Sequence, residues 1–225
     1  MHEKNYVIIS DFDGTITKED SNDLLFELRG NAENAQIEVD FYAGVLGNRE
    51  AMERHFDVMR VTLEEYRSFL DANIHIDPAF DSFLRQVRIR KTPLFIVSAG
   101  FRQGIEHVLG ESRLREVEVF ANDLFGTPYL TPVFATNHPT CEKPIGPCGN
   151  CKRAAVADIR RKSGDSIVLY IGDGLTDRCA MEGTDMLFAK DALAAYCDEE
   201  GLPYIPYTNF DDIINYLWEP IAHDS

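Results

Sequence analysis

Short apolar runs, each followed by polar turn residues, recur along the chain and predict buried strands. These runs are residues 6–9, 94–97, 167–171 and Met186–Ala189. Their uninterrupted apolar character is typical of strands that are covered on both faces. Helical patterns lie between the later runs, at residues 154–162 and 193–200. This alternation of strand and helix predicts an α/β fold, a Rossmann-like parallel sheet flanked by helices.

The stretch of residues 18–89 has a different character: it contains several hydrophobic patterns typical of helices and no convincing strand. Ser21 is placed to cap a first helix that stops at Gly30. Thr62 and Glu65 have the spacing of a capping box ahead of another apolar helix face. The pattern therefore predicts an all-helical insert between the first two strands of the sheet.

The predicted insert divides the chain into a Rossmann-like core, residues 1–17 and 90–225, and a helical cap, residues 18–89. Aromatic residues of the cap have two open interpretations. They form the core of the cap, which we favour for any single residue, or they line an apolar substrate pocket. The residues concerned are Phe26, Phe41, Tyr42 and Phe56.

Composition narrows the function classes. The 225 residues are 44% hydrophobic, enough for a sizeable core, and carry a formal net charge of −16. Such an acidic chain offers no broad basic surface for nucleic acid or anionic membranes. The apolar run before Asp11 is too short for a signal peptide, and no run has the length of a membrane span. We expect a cytoplasmic protein.

Polar residues stand where the predicted strands end. Asp11 and Asp13 follow the first strand, Ser98 ends the second and Asp173 ends a third. In open parallel sheets ligands bind at the carboxyl ends of the strands, so these side chains are expected to converge.

The segment "DFDGT" places Asp11 and Asp13 two residues apart in extended chain, where side chains point the same way. Two close carboxylates repel unless a cation or a shared proton offsets them, and hard oxygen ligands favour Mg²⁺. A carboxylate beside such a cation is able to attack phosphorus while a neighbouring acid protonates the leaving oxygen. Gly14 permits a sharp turn. A plain acidic turn is the alternative.

Two more segments complete this chemistry. "YIGDGLTD" puts Asp173 at a strand end, where it would complete a metal site, with Asp177 as a further ligand or supporting partner. "FIVSAG" offers the Ser98 hydroxyl and the backbone N–H groups of Ala99 and Gly100 as ligands for phosphate oxygens.

A transferring phosphoryl group also needs a positive charge, because its negative charge is spread over several oxygens. Lys152 begins the helix that leads into the Asp173 strand, so it should lie at the same rim. Lys143 is a nearby competitor in sequence. We prefer Lys152 because of the strand that its helix precedes.

The segments "DFDGT", "VSAG", Lys152 and "GDGLTD", in that order, resemble the haloacid dehalogenase superfamily of phosphatases. The resemblance implies that Asp11 is the nucleophile and Asp13 the general acid and base, acting through an aspartyl-phosphate. It also implies phosphate ligands and Mg²⁺ ligands. The phosphate ligands are Ser98 and Lys152, and the Mg²⁺ ligands are Asp11, the backbone carbonyl of Asp13, and Asp173, with Asp177 in support.

Within that superfamily the chain resembles the phosphoserine-phosphatase-like group, and especially the enolphosphate phosphatases of methionine salvage. "CGNCK" and the stretch "FAKDALAAYCDEEGLPYIPYTNFDDI" carry this resemblance. It implies a small phosphorylated metabolite as substrate. Phosphoserine, phosphoethanolamine and phosphocholine remain alternatives. Glu19, Asp20 and Asp23 either contact an amine-bearing substrate or, as we favour, stabilise a helix N-terminus.

Three cysteines, Cys141, Cys148 and Cys151, cluster near His138. The spacing leaves a zinc site, a local disulfide and reduced thiols as alternatives. Oligomeric state is not predicted.

Other classes of protein remain alternatives to a phosphatase. A phosphotransferase or mutase would pass the phosphoryl group to a sugar hydroxyl instead of water. A non-enzymatic phospho-sensor would lack a partner such as Asp13 and a large cap. A protein-binding module built on the cysteine loop is a third class.

Overall fold

The computed structural model describes residues 5–135, 141 and 146–218, and it contains a seven-stranded sheet with helices on both faces. The strands are β1 (Tyr6–Ser10), β2 (Leu94–Phe101), β3 (Val117–Phe125), β4 (Thr131–Val133), β5 (Ile167–Gly172), β6 (Met186–Ala189) and β7 (Ile205–Pro206). The helices are α1 (Ser21–Arg29), α2 (Ala32–Tyr42), α3 (Asn48–Met59), α4 (Leu63–Asn73), α5 (Phe80–Ile89), α6 (Arg102–Leu114), α7 (Lys152–Lys162), α8 (Asp191–Glu200) and α9 (Phe210–Trp218).

The sheet order is β4-β3-β2-β1-β5-β6-β7, and every neighbouring pair is parallel except β3 with β4. The predicted α/β fold with its four buried strands is therefore confirmed. The apolar-run analysis did not predict β3, in which Glu118, Asn122 and Asp123 interrupt the apolar residues. These polar positions break the uninterrupted run that is typical of a strand covered on both faces.

Each apolar run supplies side chains to both faces of the sheet, because successive side chains of a strand point to opposite faces. Ile8 of β1 packs into one core layer, together with residues of α5, α6 and α9. Its neighbours Val7 and Ile9 pack into the other layer, against α7 and α8. The uninterrupted hydrophobic pattern is therefore explained by two helical layers, one on each face of the sheet.

Helices α1, α3 and α4 build a third apolar cluster, which includes Phe26, Phe56 and Phe69 and reaches the sheet edge at Phe101. Helix α2 packs through Ile37 into a smaller cluster with Leu46 and Ala51. The predicted capping box of α4 is present, because Thr62 Oγ1 accepts from Glu65 N and Glu65 Oε2 accepts from Thr62 N.

The predicted N-cap of α1 is wrong by one residue. Asp20 caps the helix, accepting from the backbone N–H groups of Asn22 and Asp23 at 2.9 and 3.0 Å. Ser21 is the first helical residue, and its hydroxyl donates to Asp13 instead. The Ser21 hydroxyl does not cap the helix because it donates to the buried Asp13 carboxylate.

We propose that α1 to α4 form the cap and that its boundary lies before Phe80. In α5, Phe80, Phe83 and Val87 belong to the same core layer as β1. The predicted cap range of residues 18–89 thus stays a prediction, and the packing of α5 favours a shorter cap.

The cap lies against the core at two places near its helix ends. Val61 O accepts from Leu130 N at 2.8 Å, and Arg49 N donates to Pro147 O at 3.2 Å. A Cβ on Gly47 would come within 2.5 Å of Gly146 O, so the two loops approach as closely as backbone allows. These contacts hold the cap over the carboxyl ends of the strands.

Among the helices that the structure describes, none has the length and apolar character needed to cross a membrane.

Candidate active site

Three adjacent strands deliver the predicted site residues to one place. Because β2, β1 and β5 are neighbours, Ser98, Asp11 and Asp173 meet at the carboxyl edge of the sheet. Lys152 reaches the same point as the first residue of α7. Together with cap residues they line a cavity of about 270 Å³.

Lys152 joins two buried carboxylates at the centre of the site. Its Nζ lies 2.7 Å from Asp11 Oδ2 and 2.7 Å from Asp177 Oδ1. Burial raises the pKa of Asp11, the Asp177 carboxylate raises it further, and Lys152 opposes both effects. Burial alone would lower the pKa of Lys152, but Asp11 and Asp177 outweigh it and raise that pKa. The lysine therefore stays charged beside Asp11.

Asp13 lies two residues beyond Asp11 and meets a different environment. Its Oδ1 accepts from the backbone N–H of Ser21 at 3.1 Å and from the Ser21 hydroxyl. Burial, followed by the charge of Asp20, raises the pKa of Asp13 to about 7, against the lowering effect of the Ser21 hydrogen bonds. The two aspartates of "DFDGT" thus have different partners, Lys152 beside Asp11 and Ser21 beside Asp13.

Asp173 faces Asp11 across the turn at Gly14. The Thr15 hydroxyl donates to Asp173 Oδ1 and so joins the first strand-end turn to the Asp173 turn. Gly14 has φ +71°, and a Cβ at this position would overlap the Asp173 carboxylate. Glycine is required there because the backbone must turn in the left-handed region and approach a carboxylate closely.

Carboxylate oxygens of Asp11, Asp173 and Asp177 all lie within 4.8 Å of one another. Burial, followed by the Asp177 charge, raises the pKa of Asp173 to about 7. Hard oxygen donors held this close are the ligand set that Mg²⁺ prefers, and a divalent cation would offset their mutual repulsion. The donor set of this chain fits that ion.

Asp177 is fully buried and its two oxygens have several protein partners. Oδ2 accepts from the backbone N–H groups of Asp173 and Gly174 at 3.0 and 2.9 Å. Oδ1 accepts from Lys152 and from the Tyr170 hydroxyl at 2.5 Å. The many donors indicate that Asp177 positions Lys152 and the Asp173 turn. Tyr170 was not predicted, because it stands within an apolar strand run.

Ser98, Ala99 and Gly100 line the cavity as expected. The Ser98 hydroxyl accepts from Gly100 N at 2.9 Å and lies 3.5 Å from Asp13 Oδ2. The turn that carries it is fixed by Asn150, whose amide donates to Ser98 O at 2.8 Å. Asn150 was not singled out in the sequence, although it lies inside the "CGNCK" segment.

The cap side of the cavity is acidic and aromatic. Asp20 and Asp23 line it, as do Phe41 and Tyr42, and the Tyr42 hydroxyl donates to Asp23 Oδ2 at 3.2 Å. Asp20 is the helix cap as well, so both interpretations of this residue have structural support. Glu19 instead accepts from His75 N at 2.8 Å and is not among the lining residues. Of the four cap aromatics, Phe26 and Phe56 form the cap core.

The clustered cysteines lie outside this cavity. Cys141, Cys148 and Cys151 are thiols in the structure, and burial, followed by the nearby Cys141, Cys179 and Cys151 thiols, raises the pKa of Cys148 to about 12. Among the described residues no cysteine belongs to a group of three metal-ligating side chains with ligand atoms within 4.8 Å. The zinc alternative involves His138, which lies outside the described residues.

Similarity to known proteins agrees with this geometry. A family model described as haloacid dehalogenase-like hydrolase matches residues 8–182. The 2-hydroxy-3-keto-5-methylthiopentenyl-1-phosphate phosphatase of Geobacillus thermodenitrificans is 28% identical, covering 95% of this chain and 96% of its own length. The polyol phosphate phosphatase PYP1 of Saccharomyces cerevisiae is 26% identical over 96% and 94%. Pdp3-interacting factor 1 of Schizosaccharomyces pombe is 27% identical over 93% of both chains.

Solved structures share the fold. A substrate-bound phosphoserine phosphatase superposes with a TM-score of 0.72 at 16% identity, covering 96% of this chain and 100% of that chain. A hydrolase of Salmonella enterica superposes with a TM-score of 0.73 at 17% identity, covering 97% and 72%. The family match spans most of the strands and most of the residues that line the cavity, and the chain belongs to the haloacid dehalogenase-like hydrolase family.

Proposed function

We propose that this protein is a phosphatase that hydrolyses small phosphate monoesters through an aspartyl-phosphate on Asp11. The observation that supports the proposal is the meeting of Asp11, Asp13, Ser98 and Lys152 in one cavity. These groups are a buried nucleophile, a second acid with different hydrogen-bond partners, and donors for phosphate oxygens. They come from separate segments of the chain.

The reaction has two proton-balanced steps. A carboxylate oxygen of Asp11 attacks phosphorus, and the bond to the alcohol oxygen breaks as Asp13 donates its proton to that oxygen. A water then attacks the phosphorus of the acyl phosphate, Asp13 takes one proton from the water, and phosphate and free Asp11 result. A pKa of about 7 for Asp13 suits both steps, because each protonation state is accessible near neutral pH.

The other residues hold the phosphoryl group in place. Lys152, the Ser98 hydroxyl and the backbone N–H of Ala99 offer donors to its oxygens as negative charge develops. The Gly100 N–H donates to Ser98 Oγ and so positions that hydroxyl. Asp11, Asp173 and the Asp13 carbonyl would hold Mg²⁺, with Asp177 in support. When bound, Mg²⁺ supplies positive charge that screens the phosphoryl oxygens from the attacking carboxylate.

Metal dependence provides a prediction with two separate readouts. We expect excess chelator to abolish phosphate release and Mg²⁺ to restore it, while Ca²⁺, with its larger and looser coordination, fails to do so. Mg²⁺ should also raise the thermal unfolding temperature, since a ligand that binds the folded state stabilises it.

Two variants localise that metal effect. Asp173→Ala should lose the thermal shift and raise the Mg²⁺ requirement, whereas Ser98→Ala should keep both near their wild-type values. Full activity in excess chelator would contradict the assignment.

The finer proposal for the substrate is the enolphosphate of methionine salvage, a small cytosolic metabolite. It is supported by the printed activity of the Geobacillus relative and by the sequence resemblance in the C-terminal half. Phosphoserine, phosphoethanolamine and phosphocholine are the alternatives. A polyol phosphate joins them because of the name of the yeast relative.

The test is phosphate release from a panel of esters under one buffer condition. The panel contains the enolphosphate, a polyol phosphate, the three amine-bearing esters and a nucleoside monophosphate. We expect release without any added sugar acceptor, which also separates a phosphatase from a phosphotransferase. Failure to release phosphate from every ester, with Mg²⁺ present, would overturn the proposal.

A further inference from the structure

Two buried asparagines of the cap face the cavity with an oxygen that has no hydrogen-bond partner. Asn22 and Asn48 are each 4% exposed, and both line the cavity. No donor of the described residues reaches Oδ1 of either side chain. Buried amide oxygens in folded proteins are almost always paired, because leaving one unpaired loses its hydration without compensation. Both oxygens are therefore available to donors of a ligand in the cavity.

Asn22 lies next to the groups proposed to act on the leaving oxygen. Its amide and Asp13 Oδ2 both approach Gly100, where an added Cβ would lie 3.1 Å from Asn22 Nδ2 and 2.6 Å from Asp13 Oδ2. The backbone of Asn22 is held in place, because its N–H donates to the Asp20 cap at 2.9 Å. The side chain is therefore set beside the position of the leaving alcohol.

Asn48 comes from another cap helix and is held independently. It is the first residue of α3, directly after Gly47, whose backbone is packed against Gly146 O. No side chain caps this helix end, so the Asn48 amide is not used by the helix. Two separate helices thus present a neutral acceptor to the same cavity.

The other side chains on the cap side of the cavity restrict the chemical groups that a ligand can carry there. They include Asp20 and Asp23, which also accept hydrogen bonds, and Lys152 is the one basic side chain among the lining residues that the structure describes. A second phosphate or a carboxylate would be repelled by the Asp20 and Asp23 carboxylates. A neutral ligand with hydrogen-bond donors suits this side of the cavity better.

We propose that Asn22 Oδ1 and Asn48 Oδ1 accept hydrogen bonds from hydroxyl groups of the leaving alcohol, so that the substrates are phosphate esters of polyols. The inference rests on the proposed phosphatase function and specifies its substrate class, and it places polyol phosphates ahead of the enolphosphate and the amine-bearing esters among the candidate substrates. Hydroxyls suit the site better than an ammonium group because both unpaired oxygens are neutral amides. Asp20 and Asp23 each use one carboxylate oxygen within the protein: Asp20 Oδ1 accepts from two backbone N–H groups, and Asp23 Oδ2 accepts from Tyr42. An ammonium ester is therefore the competing ligand that the test below includes.

The kinetic test compares glycerol 3-phosphate with propyl phosphate, which has the same carbon chain and lacks the two hydroxyls. We expect wild-type kcat/KM to favour glycerol 3-phosphate by about 100-fold or more, because a site built to pair hydroxyls rejects an analogue without them. Asn22→Leu and Asn48→Leu should each reduce this ratio by about tenfold or more. Because the ratio is measured within each variant, a loss of activity that is common to both esters does not alter it.

Two control variants separate recognition from packing. Asn48→Asp keeps an acceptor and should keep most of the preference. Asn73→Leu alters a partly buried cap asparagine that donates to Phe69 O, and it should leave the ratio unchanged. A wild-type ratio near one, or a ratio that the leucine variants do not alter, would overturn the inference. A tenfold preference for phosphoethanolamine over glycerol 3-phosphate would overturn it as well, in favour of an ammonium site.

Binding to the Asp11→Asn variant tests the inference without turnover. Calorimetry should show glycerol 3-phosphate binding about tenfold or more tighter than propyl phosphate, and Asn48→Leu in that background should remove the difference. If the difference is found and the wild type releases no phosphate, the phosphatase proposal fails while the hydroxyl site stands. If both esters are hydrolysed equally well, the phosphatase proposal stands and the hydroxyl site fails.

Discussion

Asp11→Asn should reduce phosphate release by on the order of 10⁴-fold or more, because the proposed nucleophile is lost. The fold should be retained or slightly stabilised. Burial, followed by the charges of Asp177 and Asp173, raises the pKa of Asp11. A neutral amide removes that repulsion and still accepts a hydrogen bond from Lys152.

The measurements are initial rates of phosphate release and the thermal unfolding temperature, both with Mg²⁺ present. Asp158→Asn is the matched control: it makes the same chemical change at a side chain on α7 that pairs with Arg161 at the surface. It should leave activity unaltered. Activity of Asp11→Asn within tenfold of the wild type would exclude an aspartyl-phosphate on this residue.

Lys152→Met should damage activity and stability together. Its ammonium group is buried and is paired with Asp11 and Asp177, each at 2.7 Å. Removing it leaves two carboxylates without their buried cation, and breaking such a pair costs about 3–5 kcal/mol. Loss of a positive charge from the phosphoryl site should reduce kcat by a further factor of about 10²–10³.

Two further variants make this prediction specific. Lys162→Met lies on the same helix at an exposed position and should change neither property. Lys152→Met/Asp177→Asn neutralises one of the stranded carboxylates, so it should recover part of the lost free energy of unfolding while activity stays low. If Lys152→Met has the same thermal unfolding temperature and the same denaturant midpoint as the wild type, the buried pairing does not stabilise the fold as described.

The cap and the core share the work of the proposed reaction. The core supplies the groups that act on phosphate, and these belong to three neighbouring strands and one helix start. The cap supplies Asn22, Asn48, Asp23 and Tyr42, which lie on the side of the leaving alcohol. Chemistry and substrate choice are thereby carried by different parts of the chain, so variation in cap side chains should change the substrate without altering the reaction.

Local patterns in the sequence predicted the sheet and the residues at its edge. The apolar runs that became β1, β2, β5 and β6 are covered on both faces, and burial on both faces produces an uninterrupted pattern. Placing Ser98, Asp11 and Asp173 together needed only the rule that parallel strands end at one edge. The capping box of α4 was predictable for a similar reason, because its two members are three residues apart.

Contacts between distant segments were decided by the tertiary structure alone. Ser21 was predicted to cap α1, and it hydrogen-bonds Asp13 instead because folding brings a buried carboxylate to it. Tyr170 looked like an ordinary apolar strand residue until Asp177 was seen to accept its hydroxyl.

The unpaired oxygens of Asn22 and Asn48 illustrate the same limit. Asparagine is common at helix starts, and nothing local distinguishes these two from the others in the chain. Their burial, their shared cavity and their missing partners exist only once α1 and α3 have packed over the sheet edge. The sequence by itself thus determined the fold class and the family of chemistry, whereas the side-chain environment that selects a substrate depends on long-range packing.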